Sequence, residues 1–237
     1  MSQVATDRAA HAEIAGRFAV RMGSSSAAGP ESPPNAAATS LSAQLRARTA
    51  CLHQQAEIVL GLPGAIRTLH DYRACLGRFL ALYAPLERSL ATFDEWDSHN
   101  VQLPLPSHSA CLAADLAVLG TDPAGISPAP IALRPHLPKF AHALGALYVL
   151  EGSTLGGRVI LRDLEARIGP QIIGATQFFG GRAAAAGPMW QSFKAALDAF
   201  GCRQPYLGNN VVLGAESVFR AILAWFTNDR TIAVGQS

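Results

Sequence analysis

Charge is scarce in this 237-residue chain: only 15% of its residues are charged, against 49% hydrophobic, and 19 basic residues are nearly balanced by 17 acidic ones. With a formal charge of +2 and no basic stripe or cationic helix, the sequence argues against a nucleic-acid or membrane-surface partner. Long apolar runs are missing too. Stretches such as ALGALYVL stop well short of the roughly 20 residues that span a bilayer, and no hydrophobic secretion signal is present, which predicts a cytoplasmic protein with no membrane segment. The four cysteines, Cys51, Cys75, Cys111 and Cys202, are far apart and form neither a CxxC pair nor a CxxCH haem-attachment motif. Disulfides and cysteine-ligated zinc are therefore poor expectations. Strand-like alternation is nearly absent, as are internal repeats.

What the chain does have divides at about residue 40. The segment SSSAAGPESPPNAAATS is rich in Ser, Ala and Pro and poor in large apolar side chains, so residues 1–39 read as a disordered leader. Residues 40–230 read as one all-α domain, with 231–237 as a short tail. Ser40 or Ser42 caps a helix through LSAQLRARTACLHQQAEIVLGL, and Thr68 caps a second through Phe93 in which Pro85 predicts a kink or interruption. A short helix from Ser109 to Leu119 stops at Gly120, and a proline-rich connection covers 123–138. Then come one long helix over 139–168, a helix from Pro188 to Phe200 and a last one from Asn210 to Thr227. The expected architecture is a bundle of about six helices.

Two local patterns carry chemistry. In RARTACLHQQAE, the residues Thr49, His53 and Glu57 are successive i,i+4 neighbours on one helical face. Glu57 can accept the N–H of one His53 nitrogen, fixing the tautomer and making the other nitrogen a better metal donor. An amphipathic helix with a solvated His–Glu pair explains the same spacing. No companion ligands suggest zinc or di-iron, whereas a single imidazole suits a haem iron, whose porphyrin brings the equatorial donors. The second pattern is YVLEGSTLGGRVI, where Gly152, Gly156 and Gly157 interrupt the longest helix at roughly 0.8–1 kcal/mol each relative to alanine. Close helix packing is one explanation; a large flat ligand against the backbone is the other.

Taken together these segments resemble the haem oxygenase family, specifically its bacterial, biliverdin-producing type associated with bacteriophytochromes and iron acquisition. The resemblance runs from Leu41 to Thr227. Leu45, Arg46, Thr49, His53 and Glu57 stand where the family has LRxxTxxxHxxxE, and EGSTLGG at 151–157 stands at its glycine-rich distal helix. FFGG at 178–181, followed by Trp190, Phe193 and Lys194, and GAESVFRAILAWF at 214–226 continue the match.

The resemblance implies a haem held between the two helices and opened at a meso carbon to biliverdin, carbon monoxide and ferrous iron. It makes His53 the axial iron ligand, Gly152, Ser153, Gly156 and Gly157 the distal wall, and Arg46 and then Lys194 the first choices for the haem propionates. Phe193 is a weaker wall residue and Arg182 a weaker propionate contact. Ser153 stands where animal enzymes carry a catalytic aspartate, a form common in the bacterial branch. Ala50 and Asp198 replace basic positions of the family. Glu151 reads slightly in favour of the surface, and the remaining histidines as structural. Lacking a dinucleotide motif, the chain would draw electrons from ferredoxin or a flavoprotein reductase and could pass biliverdin to a bacteriophytochrome. A haem-storage protein without turnover and a haem-free relative are the alternatives.

Overall fold

A computed structural model of the chain describes residues 39–181 and 185–234, with side chains to 227. The leader expected over residues 1–39 therefore lies, apart from Thr39, outside the described residues, as does Arg182. The all-α expectation is met: no strand occurs among the described residues, and no helix is long and apolar enough to cross a membrane. The elements are α1 (Leu41–Leu60), α2 (Leu69–Leu90), α3 (His108–Val118), α4 (Phe140–Ser153), α5 (Gly157–Ile168), α6 (Gln177–Gly180), α7 (Ala186–Arg203) and α8 (Gly208–Val234).

Most boundaries follow local cap chemistry. Ser40 accepts from the Ala43 amide at the start of α1, and Gly61 ends it in the left-handed region at φ 60°. Thr68 and Asp71 form a reciprocal capping box on α2. Helix α3 starts one residue earlier than predicted, behind the Ser107 cap.

The interruption offered for Pro85 and the single helix over 139–168 are not what the fold shows, each for a physical reason. Pro85 does not interrupt α2, which is continuous and buries the ring. Proline's missing N–H releases the Ala81 carbonyl, and the Ala129 amide of the proline-rich connection takes it up at 2.9 Å. Conversely, the single helix expected over 139–168 is two, divided by a 3₁₀ turn at Thr154–Gly156. The short α6, made by FFGG, is an added element. Its first amides, Gln177 and Phe178, both donate at 2.9 Å to the carboxylate of buried Asp115 on α3.

The long α8 is the spine against which α1 and α4 pack. Its crossing with α4 is backbone on backbone. A Cβ at Gly145 would overlap the Val211 carbonyl, and one at Gly214 would overlap the His142 carbonyl. Helix α1 runs parallel to α8: Leu41 lies against Gly208, Arg48 is 3.9 Å from Glu216, and the His53 ring meets Phe219. Helix α7 crosses the start of α1, where Asp198 accepts from the Ser42 amide at 2.7 Å and its hydroxyl at 2.9 Å. A carboxylate there complements the helix N-terminus.

Because neither backbone at the α4–α8 crossing can yield cheaply, Gly145→Val and Gly214→Val should each lower stability by about 1–3 kcal/mol or more in urea unfolding. Gly187→Ala, at an open position on α7, should stay within about 0.5 kcal/mol of the parent.

Candidate functional site

On α1 the buried positions Leu41, Leu45, Thr49 and Ala56 face inward, and His53 sits at the margin of that face with its side chain 48% exposed. Its ring meets Phe219 of α8 edge-on, centroids 5.8 Å apart. Nδ1 faces the Glu57 carboxylate at 3.6 Å, so a ligand-donating role falls to Nε2. Thr49 shares the face but is buried, and its hydroxyl donates to the Leu45 carbonyl at 2.8 Å. It is a helix back-bond rather than a partner of His53.

The glycine segment follows α4, every residue of which is buried from Phe140 to Glu151. Glu151 is thus interior, not on the surface as its pattern suggested. At the break, Ser153 Oγ donates to the Leu150 carbonyl and Thr154 Oγ1 to the Glu151 carbonyl, each at 2.7 Å. The glycines then separate in role. A Cβ at Gly152 would make ordinary contact with the Trp190 ring at 3.6 Å, but one at Gly157 would overlap the Phe179 carbonyl. Gly157 is therefore required by the FFGG backbone that packs on it. Gly156 is buried in the turn.

Helix α7 supplies the adjoining wall. Trp190 packs on Tyr148 of α4, centroids 5.2 Å apart, and stacks with buried Phe193 at 6.0 Å. Lys194 Nζ lies 5.9 Å from the centre of the Trp190 ring. Burial pushes the Tyr148 phenol up, and the nearby Arg46 charge opposes that shift. Arg46 thus acts on Tyr148 and Lys194 lies near Trp190, the two rings of one buried aromatic pair. Asp198, which replaces a basic residue of the family pattern, is occupied in holding the start of α1.

The heme oxygenase family model matches residues 39–228. The chain belongs to the heme oxygenase family. No curated protein matches it. Membership makes haem the substrate and its oxidative degradation the class of reaction. The donor set suits that substrate: among the described residues no three His, Cys, Asp or Glu side chains converge to hold a bare metal ion. A lone imidazole suits an iron whose other donors arrive with the porphyrin.

Sequence reasoning missed a polar group on α2 and α3 that approaches the turn after α4. Tyr83 is buried, and its phenol lies close to the Ser153 side chain. Burial pushes this phenol up to about 12, the Ser153 contact opposing the shift.

One turn beyond Tyr83, the Glu87 carboxylate accepts from the His108 amide at 2.7 Å and the Ser109 amide at 2.9 Å. The Ser109 hydroxyl also donates to it, and His108 Nδ1 lies 3.1 Å away. The only sequence sign was the Tyr83–Glu87 spacing; the partners come from another helix.

Burial alone would raise the Glu87 pKa, but the His108 and Ser109 hydrogen bonds and the His108 charge outweigh it and bring it from 4.5 to about 2. A depressed carboxyl stabilises the fold fully above its unfolded value and loses that contribution as pH falls through the folded one. Glu87→Gln should therefore be less stable than the parent near neutrality, with the deficit closing between about pH 4.5 and 2 in urea titrations.

Proposed function

We propose that this chain is a bacterial-type heme oxygenase that opens haem to biliverdin, carbon monoxide and ferrous iron, using dioxygen and external electrons. The observation carrying the reading is that α1, with the His53–Glu57 pair, and α4, with its glycine break, are both seated on α8. When bound, haem supplies both the redox-active iron and the ring that is oxidised. His53 would hold the haem iron through Nε2, with Glu57 against Nδ1 fixing tautomer and ring orientation.

The remaining residues divide the work of holding and protonating. Gly152 sits beside the buried Trp190 ring, which a Cβ there would meet in ordinary contact at 3.6 Å, giving backbone rather than side chain at the distal wall. Gly156 belongs to the same turn, and Gly157 keeps that turn against Phe179. Ser153 holds a proton at Oγ that a small rotation would redirect from Leu150 into the pocket, with Tyr83 behind it. Arg46 and Lys194 would meet the two haem propionates by charge-assisted contacts and set the rotation of the ring, with Phe193 supporting Trp190. Electrons would come from ferredoxin or a flavoprotein reductase, and a bacteriophytochrome is a candidate receiver of biliverdin.

Reconstitution with haemin, followed by a reductant system and air, tests the reading. A histidine-ligated Soret band that decays as biliverdin absorption grows is the expected outcome. A persistent Soret band would make the chain a haem-storage protein, and no band would reject both. His53→Ala should abolish turnover, and intact biliverdin formation in that variant would overturn the axial assignment. Glu57→Ala should weaken haem affinity or turnover by about 10- to 100-fold.

A further inference from the structure

We propose that Asp115 is a positioning residue for the reaction: its carboxylate fixes the short helix α6, and α6, through the Phe179 carbonyl packed on Gly157, fixes the turn at Thr154–Gly156. The proposal rests on the reading of that turn as the distal wall of the haem site.

The local sequence offers a simpler way to start α6, and the fold does not use it. Thr176 stands at the N-cap position and is of a type that caps helices, yet its side chain makes no cap bond. Asp115, 62 residues before Gln177, takes the amides instead, Oδ1 from Gln177 and Oδ2 from Phe178, each at 2.9 Å. The residue is 0% exposed. Burial pushes its carboxyl up, and the two amide bonds oppose that shift. A carboxylate placed so deep is a costly cap for four residues, so its value lies in what α6 touches.

On one side α6 is held by α2. Tyr72 donates to the Ala175 carbonyl at 2.7 Å, its ring stacks with that of Phe179, and the Phe178 ring lies against Phe79, centroids 5.3 Å apart. On the other side it meets the start of α5, backbone to backbone. A Cβ at Gly157 would overlap the Phe179 carbonyl, and the Gly157 amide itself donates to the Thr154 carbonyl, closing the turn. The carbonyl that abuts Gly157 therefore sets where the turn ends.

Two bonds to the two oxygens of one planar carboxylate fix α6 in rotation as well as in distance, which a single bond cannot do. From there to the turn every link is peptide backbone. A side chain absorbs a shift by changing rotamer, whereas a packed peptide group passes it on. Displacing a reacting group or the wall that orients it by about 1 Å costs about 100-fold in rate, so a carboxylate remote from the substrate can govern turnover. Asp115 acts through α6 and Gly157 and is not a catalytic residue.

The test has two arms, both using Asp115→Asn, which keeps one amide acceptor, and Asp115→Ala, which keeps none. In amide hydrogen exchange of the full chain without haem, Asp115→Asn should speed exchange about 10-fold at Gln177 or Phe178 and measurably at Thr154 and Gly157, with Asp115→Ala faster at all four. Unchanged exchange at Thr154 and Gly157 would overturn the proposal whether or not the chain degrades haem. Should neither variant fold, the parent decides: in low urea its Gln177, Phe178 and Gly157 amides should open as one unit, and separate openings would sink the link. In haemin-loaded protein, Asp115→Asn should leave haemin affinity unchanged and slow turnover by about 10- to 100-fold, with Asp115→Ala slower still. Equal rates in Asp115→Asn and a parent that makes biliverdin would overturn the positioning role alone. A parent that makes none would sink the functional reading, and the exchange arm would then uphold or overturn the tie between Asp115 and the turn.

Discussion

Everything at this site depends on how closely α4 approaches α8. At the crossing, carbonyl oxygens occupy the places where the side chains of Gly145 and Gly214 would be, so the separation of the two axes is set by peptide groups, which have no rotamers to adjust. Helix α1 packs along α8 as well, in parallel register. The His53 helix and the turn after α4 are therefore positioned by one rigid spacer. Packed interiors deform little, so their separation is held by the backbone.

Within this frame polar side chains are used sparingly. The turn after α4 contributes two hydroxyls, both tied to carbonyls of the preceding turn, and one glycine beside the edge of a buried indole. The Arg46 charge acts on buried Tyr148, and Lys194 lies 5.9 Å from the centre of the Trp190 ring. The strongly held charge is further back, at Glu87, where four donors converge on one carboxylate.

How much of this could be read in the sequence follows the range of the interactions. Ser40 and Thr68 marked helix starts correctly because capping is settled within four residues. The His53–Glu57 pair was visible for the same reason: both lie on one helical face. Pro85 misled because its consequence is resolved by Ala129, far along the chain. The short α6 was missed because its cap, Asp115, comes from α3. Glu87 with His108, and Tyr83 with Ser153, are contacts between helices that no periodicity encodes. Burial of Glu151 was equally hidden, since a single acidic residue in an apolar run does not say which side of the helix is covered.

The two glycines that look alike in the motif, Gly152 and Gly157, answer to different judges. A methyl group at the first meets only the edge of an indole; at the second it meets the chain itself. In a library of variants they would part company: changes at 157 would be read in how much protein a cell accumulates, and changes at 152 in the colour of the protein that survives.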